Sequence, residues 1–369
     1  MGGSYLTTVT GTPSSSTGYT LVETLLVKEY LASREFVSPL ANSQYISKRN
    51  MPKMVGQSMK LTRRKPLREP EGSKETTDPL SYGSQTYEQL LIPVEWINDH
   101  YALSQMAQDT GWIDLAEDCK EGIFEAMRRY RNRSVQAAML GGRYKPGYRN
   151  SSGVTIDGDT TYPSPWYEEE NPVTLYGGSY TFLKFAKRYA GGGAEFADLD
   201  GSQRATMNDV KRLVVGLKNR GAITFDGGKY VMVISDAVKA DLENDDKYFA
   251  AAIRNQAAST KVFAGEIADY AGVHFVTDDE PWTMKIGGNG VSKAANNDGE
   301  VHVCQIFGKD SASYVTLGGK GALRPTFKVQ NISTTGKLTT IGYNVPNQNV
   351  VTNGDWGFNY LCCPQYFNA

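Results

Sequence analysis

One stretch limits the possible folds more than any other. From Trp112 to Leu140 the residues Trp112, Ala116, Cys119, Ile123, Met127 and Tyr130 keep a three-or-four spacing for several turns, and Gly141-Gly142 follows at once. That spacing predicts a helix over 112–140. At about 1.5 Å per residue it would be roughly 40 Å long, longer than an average globular helix and able to act as a strut. Its first half carries Asp114, Glu117, Asp118, Glu121 and Glu125, its second half Arg128, Arg129, Arg131 and Arg133. That order favours the helix dipole at both ends.

The segments before this strut do not read as a core. Residues 1–20 are rich in Gly, Ser, Thr and Pro with almost no charge; such a composition buries too little apolar surface to order itself, so it predicts an arm. Leu21, Leu25, Tyr30, Leu31 and Phe36 predict a short helical segment within 21–45. Between Lys48 and Lys74 lie nine basic residues, the most basic stretch of the chain. Alternation over Met59–Leu67 and a β-rich run over Thr86–Ile97, with Pro70, Gly72, Asp78-Pro79 and Gly83 between, predict a long hairpin. Its connection of about eighteen polar residues is too long for a tight domain unless it reaches something outside it.

Beyond the strut, Tyr144–Tyr180 is rich in Gly, Pro, Tyr and acid, including Glu168-Glu169-Glu170, and reads as an elaborated loop. Thr206 and Asp209 stand at capping positions of a helix whose apolar face is Val210, Leu213, Val214 and Leu217, stopped by Gly221. A buried strand over Tyr230–Ile234, a helix from Ser235-Asp236 through Leu242, a helical turn over Gly265–Tyr270 and a strand over Val273–Val276 complete an α+β unit. From Val301 on the chain is β-rich, with strands expected at Val301–Phe307, Ser313–Leu317, Thr326–Ile332, Leu338–Tyr343 and Trp356–Cys362. At 369 residues, there is room for two or three such units or one elaborated one.

The residues needed for catalysis are sparse. His100, His274 and His302 are the three histidines, none in a metal-binding spacing, and the last two lie in strand-like runs. There is no GxSxG elbow and no phosphate-binding loop; Gly318-Gly319-Lys320-Gly321 has neither the spacing nor the following hydroxyl. Asp198-Leu199-Asp200-Gly201 opens like a calcium loop but continues with Ser202 and Arg204, so it reads as a turn leading into a helix. The sequence thus predicts neither a catalytic centre, a cofactor site nor a bound metal.

Thirty-nine basic against forty acidic residues leave a formal net charge of -1, which gives no reason to expect duplex nucleic acid as the main partner. Local basic clusters remain to be explained. Arg63, Arg64, Lys65 and Arg68 could contact phosphates or an acidic protein surface; no aromatic residue is interleaved with them, which argues against a single-strand stacking platform. The acids Asp114, Glu117, Asp118 and Glu121 are the candidate partner surface on a neighbouring subunit. Cys119, Cys304, Cys362 and Cys363 form no disulfide framework, and a reducing site of synthesis fits them. No export signal and no membrane-length apolar run is read, and no membrane partner is expected.

The order of parts, together with the runs Ala205–Arg220, Gly228–Asp236, Val262–Thr277 and Ile306–Val315, resembles the major capsid proteins of tailed bacteriophages with the Hong Kong 97-type fold, and most closely those of podoviruses of the N-four type. The resemblance runs from about Leu25 to Phe358. It implies an N-terminal arm over 1–50, an extended loop over 51–100, and a peripheral domain with its spine helix and an insertion over 101–195. An axial domain over 196–310 would follow, with C-terminal strands over 311–369 returning to the peripheral domain. It also implies many copies assembled as hexamers and pentamers into an icosahedral head, made in the bacterial cytoplasm and resident in the virion. A portal, packaged double-stranded DNA on the inner face, and decoration or scaffold proteins would be its other partners. A carbohydrate-active or carbohydrate-binding β-rich protein is the alternative, suggested by the 22 Tyr and 5 Trp.

Overall fold

A computed structural model of the chain describes residues 40, 45–51, 58–64, 87–104, 115–144, 154–156, 159–162, 167–168, 173–175, 178–193, 199, 203–245, 271–278, 281–285, 300–317, 326–331 and 338–364. The expected arm over 1–20, most of the helix expected within 21–45 and the turn at 265–270 lie outside them.

Two sheets and one long helix carry the architecture. The first sheet has six strands: Ala186–Tyr189 at one edge, then Gly357–Cys362, Glu300–Phe307, Tyr230–Ile234 and Val273–Thr277, with Trp282–Lys285 also pairing to Glu300–Phe307. Tyr230–Ile234, central and buried at every position, runs parallel to Val273–Thr277 and antiparallel to Glu300–Phe307. The second sheet has five: Ser47–Met51, Ala312–Leu317, Leu338–Val351, Thr326–Asn331 and Glu95–Ser104. Leu338–Val351 is its spine, pairing over Leu338–Asn347 with Glu95–Ser104 and over Gln348–Val351 with Ala312–Val315. An α+β architecture is what the sequence predicted.

The strut is Leu115–Leu140. Gly141 ends it at φ 93, with Gly142 N donating to Ala137 O at 2.9 Å, a cap that needs the left-handed backbone only glycine adopts without strain. Its residues Ile123, Phe124, Met127, Val135 and Met139 pack in one core with Val231, Val233 and Phe307 of the first sheet and Tyr314, Ile341 and Tyr343 of the second. The helix therefore ties the two sheets together. A polar seam runs along the same contact: buried Asp278 accepts from Asn132 Nδ2 (2.9 and 3.0 Å) and from Gln136 Nε2 (2.7 Å), while Asn359 donates to Met139 O at 2.9 Å. These hydrogen bonds pair the Asp278 carboxylate and the side-chain N–H groups of Asn132, Gln136 and Asn359 across the contact, which fixes the helix register against the sheet.

The dipole expectation needs correction at the C-terminal end. The last turn carries no basic residue, because the helix runs on to Leu140, well past Arg133. The dipole effect is confined to the terminal turn, so these arginines do something else. Arg129 pairs with Glu125 at 2.5 Å, and Arg131 lies 5.6 Å from the Tyr314 ring centroid.

On the other face of the first sheet lies the helix Met207–Asn219, its Met207, Val210, Leu213, Val214 and Leu217 packed with Met232, Ile306, Phe358 and Tyr360. Thr206 caps it as expected: Asp209 N donates to Thr206 Oγ1, and Thr206 Oγ1 donates back to Asp209 Oδ2 at 2.9 Å. Ser235 caps the helix Asp236–Glu243 in the same way, accepting from Val238 N.

Two further expectations are revised. The stretch 144–180 holds short antiparallel pairs: Arg143–Tyr144 with Tyr167–Glu168, Val154–Ile156 with Asp159–Tyr162, and Val173–Leu175 with Gly178–Tyr180. The strand expected at Leu338–Tyr343 continues to Val351. The strand expected at Trp356–Cys362 runs over Gly357–Cys362, inside the six-stranded sheet beside Glu300–Phe307.

Candidate functional site

The basic hairpin is built as two strands, Ser58–Arg64 and Tyr87–Pro93, antiparallel with Ser58 opposite Pro93 and Arg64 opposite Tyr87. Its root packs: Ile92 and Val94 are buried with Phe182, Val315 and Val350. Burial then falls away along the strand, to Leu91 at 47% exposed and Tyr87 at 58%. Trp96, on the next strand, is 53% exposed. Apolar side chains this exposed along a two-stranded ribbon form a surface suited to another chain.

Of the eight charged residues singled out in the sequence, Arg63 and Arg64 end the first hairpin strand, with Arg63 opposite Glu88. Glu117 and Asp118 lie in the first turn of the strut, and Glu121 stands exposed one turn later. Lys65, Arg68 and Asp114 lie outside the described residues. The described members of the basic set, Arg63 and Arg64, sit on the hairpin, and those of the acidic set, Glu117, Asp118 and Glu121, on the strut.

A second surface was not singled out in the sequence. Between the helix Met207–Asn219 and the edge strand Ala186–Tyr189 lies a groove of about 460 Å³ whose floor includes Phe358, Tyr360, Leu213 and Gly216 and whose rim carries Arg188, Arg212 and Arg220. The Arg220 guanidinium lies 4.6 Å, and that of Arg188 5.4 Å, from the Phe358 ring centroid. Gly216 makes this packing possible, since a Cβ there would sit 3.1 Å from the same ring. A detectable signal did exist. Arg212, Gly216 and Arg220 repeat every four residues, and a mid-helix glycine costs about 1 kcal/mol unless a close approach requires it.

Beneath the groove Tyr360 donates to Asp209 Oδ2 at 3.1 Å, and burial first, then the nearby Cys362 and Asp209, push its hydroxyl pKa well up. Burial lowers the His302 pKa to about 4; its Nδ1 lies 2.7 Å from Ser235 Oγ. Cys304, Cys362 and Cys363 are buried free thiols, and the contact with Cys304, followed by burial, raises Cys362 well above the ordinary thiol range. Raised thiols buried in apolar surroundings are inert rather than nucleophilic. Among the described residues no three or more His, Cys, Asp or Glu side chains are grouped to hold a metal ion, and no helix is long and apolar enough to cross a membrane.

No family model matches the chain, and no curated protein matches its sequence. Solved structures do match its fold. The capsid of Ralstonia phage GP4 aligns with a TM-score of 0.59 at 13% identity, over 92% of this chain and 97% of that one. The cyanophage Pam1 capsid aligns with a TM-score of 0.58 at 13% identity, over 91% and 95%. The capsid of the Helicobacter pylori bacteriophage KHP30 gives 0.56 at 10% identity, over 90% and 92%. The chain has the α+β fold of bacteriophage capsid proteins.

Proposed function

We propose that this chain is the major capsid protein of a tailed bacteriophage of the Hong Kong 97 type, a structural subunit without enzymatic activity, closest to podoviruses of the N-four type. Many copies assemble as hexamers and pentamers into an icosahedral head around double-stranded DNA, in the bacterial cytoplasm, with a portal and with scaffold or decoration proteins as accessory partners. The observation that carries this reading is fold likeness over more than nine-tenths of both chains for two phage capsids.

The leading parts fit the reading physically. A closed shell made from one chain asks the same residues to make several quasi-equivalent contacts, which favours extensions anchored at one end. The hairpin, buried at Ile92 and exposed at Tyr87, is such an extension. In the shell, the stem residues Arg63, Arg64, Lys65 and Arg68 lie on the acidic start of a neighbour's strut, at Asp114, Glu117, Asp118 and Glu121. Single exposed pairs contribute only about 0–1 kcal/mol, so repetition across the lattice carries the effect. Residues 1–50 act as the arm, 51–100 as the extended loop, 101–195 as the peripheral domain, 196–310 as the axial domain, and 311–369 as C-terminal strands returning to the peripheral domain. The fold likeness favours the shell over the carbohydrate-directed alternative.

Negative-stain microscopy of the expressed full-length chain tests the proposal. Closed shells or sheets of capsomers are expected; a monomer over all protein and salt concentrations tried would contradict it.

A further inference from the structure

The groove over Phe358 is lined by cationic side chains. Its lining holds three guanidiniums and one carboxylate, Asp209, with Asp355 beside Arg220 outside it. Asp209 already accepts from Thr206 Oγ1 and Tyr360, and comes no nearer than 3.7 Å to Arg212. Asp355, with its side chain 68% exposed, stays 3.9 Å from Arg220. Both separations exceed the roughly 2.7–2.9 Å of a charge-assisted hydrogen bond, so the arginine donors keep capacity for an incoming anion. Stacking on Phe358 fixes Arg188 and Arg220 in orientation, so less side-chain entropy is lost when a carboxylate arrives. The volume suits a few side chains; the rigid cylinder of a DNA duplex does not enter a recess of this size.

Resting on the shell reading, we propose that this groove receives an acidic stretch of a second copy of the chain, the run Trp166-Tyr167-Glu168-Glu169-Glu170, with its carboxylates on Arg188, Arg212 and Arg220. Charge complementarity selects the occupant. The chain as a whole is nearly neutral, 39 basic against 40 acidic residues, so a local cationic excess has its counterpart elsewhere in the same sequence. This run supplies three consecutive carboxylates, and the adjoining Trp166 and Tyr167 supply flat faces on which guanidinium groups stack. Contacts of this kind link copies without adding a new fold element.

The test uses the full-length chain held as a dispersed subunit, titrated calorimetrically with a synthetic peptide spanning residues 163–172. Binding is expected, with affinity lowered at least tenfold when the three glutamates are replaced by glutamine and when the subunit carries Arg212→Ala, a substitution on an exposed side chain whose fold is checked by circular dichroism. In particle assays Arg212→Glu should lower yield and Glu169→Arg in the same chain should partly restore it. The inference is overturned if the glutamine peptide binds equally well, if inorganic phosphate or a duplex oligonucleotide occupies the groove in preference to the peptide, or if only a subunit whose own run is changed to glutamine binds, which would place the run in its own groove. Because binding is read on dispersed subunits, a chain that binds the peptide yet forms no shell sinks the shell reading alone.

Discussion

His302 should make this subunit more sensitive to acid. It lies buried on Glu300–Phe307 with Nδ1 2.7 Å from Ser235 Oγ, and the same hydroxyl caps the next helix by accepting from Val238 N. Burial disfavours the charged imidazolium and lowers the folded-state pKa from 6.5 to about 4. The sign follows directly: between these two values the unfolded chain binds a proton that the folded chain does not. The His302 contribution is therefore complete above pH 6.5, falls as the pH drops through that window, and levels off near pH 4. Two and a half pH units at about 1.36 kcal/mol each correspond to a loss on the order of 3 kcal/mol. Denaturant unfolding of the wild-type subunit and of His302→Gln, at pH 7 and pH 4, isolates this contribution, since every other titrating group is common to both. The wild type should lose about 3 kcal/mol more than the variant over that interval. Equal losses in the two proteins would refute the reasoning.

Other substitutions probe the packing and the proposed contacts. Gly357→Ala places a Cβ 2.5 Å from the buried Phe185 ring, so unfolding free energy should fall by about 1–3 kcal/mol or more in chemical denaturation. Asp278→Ala strips the acceptor from Asn132 and Gln136 in the buried seam and should cost about 2–5 kcal/mol by the same assay. Thr206→Ala removes the cap of Met207–Asn219 and should cost about 1 kcal/mol. Arg63→Glu with Arg64→Glu should leave the unfolding midpoint within error and lower particle yield, and reversal of Glu117 and Asp118 to lysine should partly restore it.

The parts of the fold that the sequence makes legible are those whose burial is periodic. The strut, the helix capped by Thr206, and Tyr230–Ile234 all carry an unbroken apolar pattern, and their bounds fall within three residues of those expected. Leu338–Val351 hides its second half because Asn344, Pro346, Asn347 and Asn349 look like a turn; pairing to Glu95–Ser104 and then to Ala312–Leu317 overrides that weak local preference. The hairpins within 144–180 have strands of two to four residues, too short for alternation to register. The arginine groove is assembled from Arg188, the helix Met207–Asn219 and Phe358, segments about 30 and 140 residues apart in the chain, which no local pattern joins. The hairpin, by contrast, was visible because its alternating strands flank a long polar connection.

Electron cryo-microscopy of particles formed by the full-length chain tests the central claim most directly. The account predicts a closed icosahedral shell in which the hairpin of Ser58–Arg64 and Tyr87–Pro93 lies across a neighbouring subunit, with Arg63 and Arg64 over the start of that neighbour's long helix. Particles without that symmetry, or a hairpin folded back on its own subunit with no chain beneath it, would contradict it.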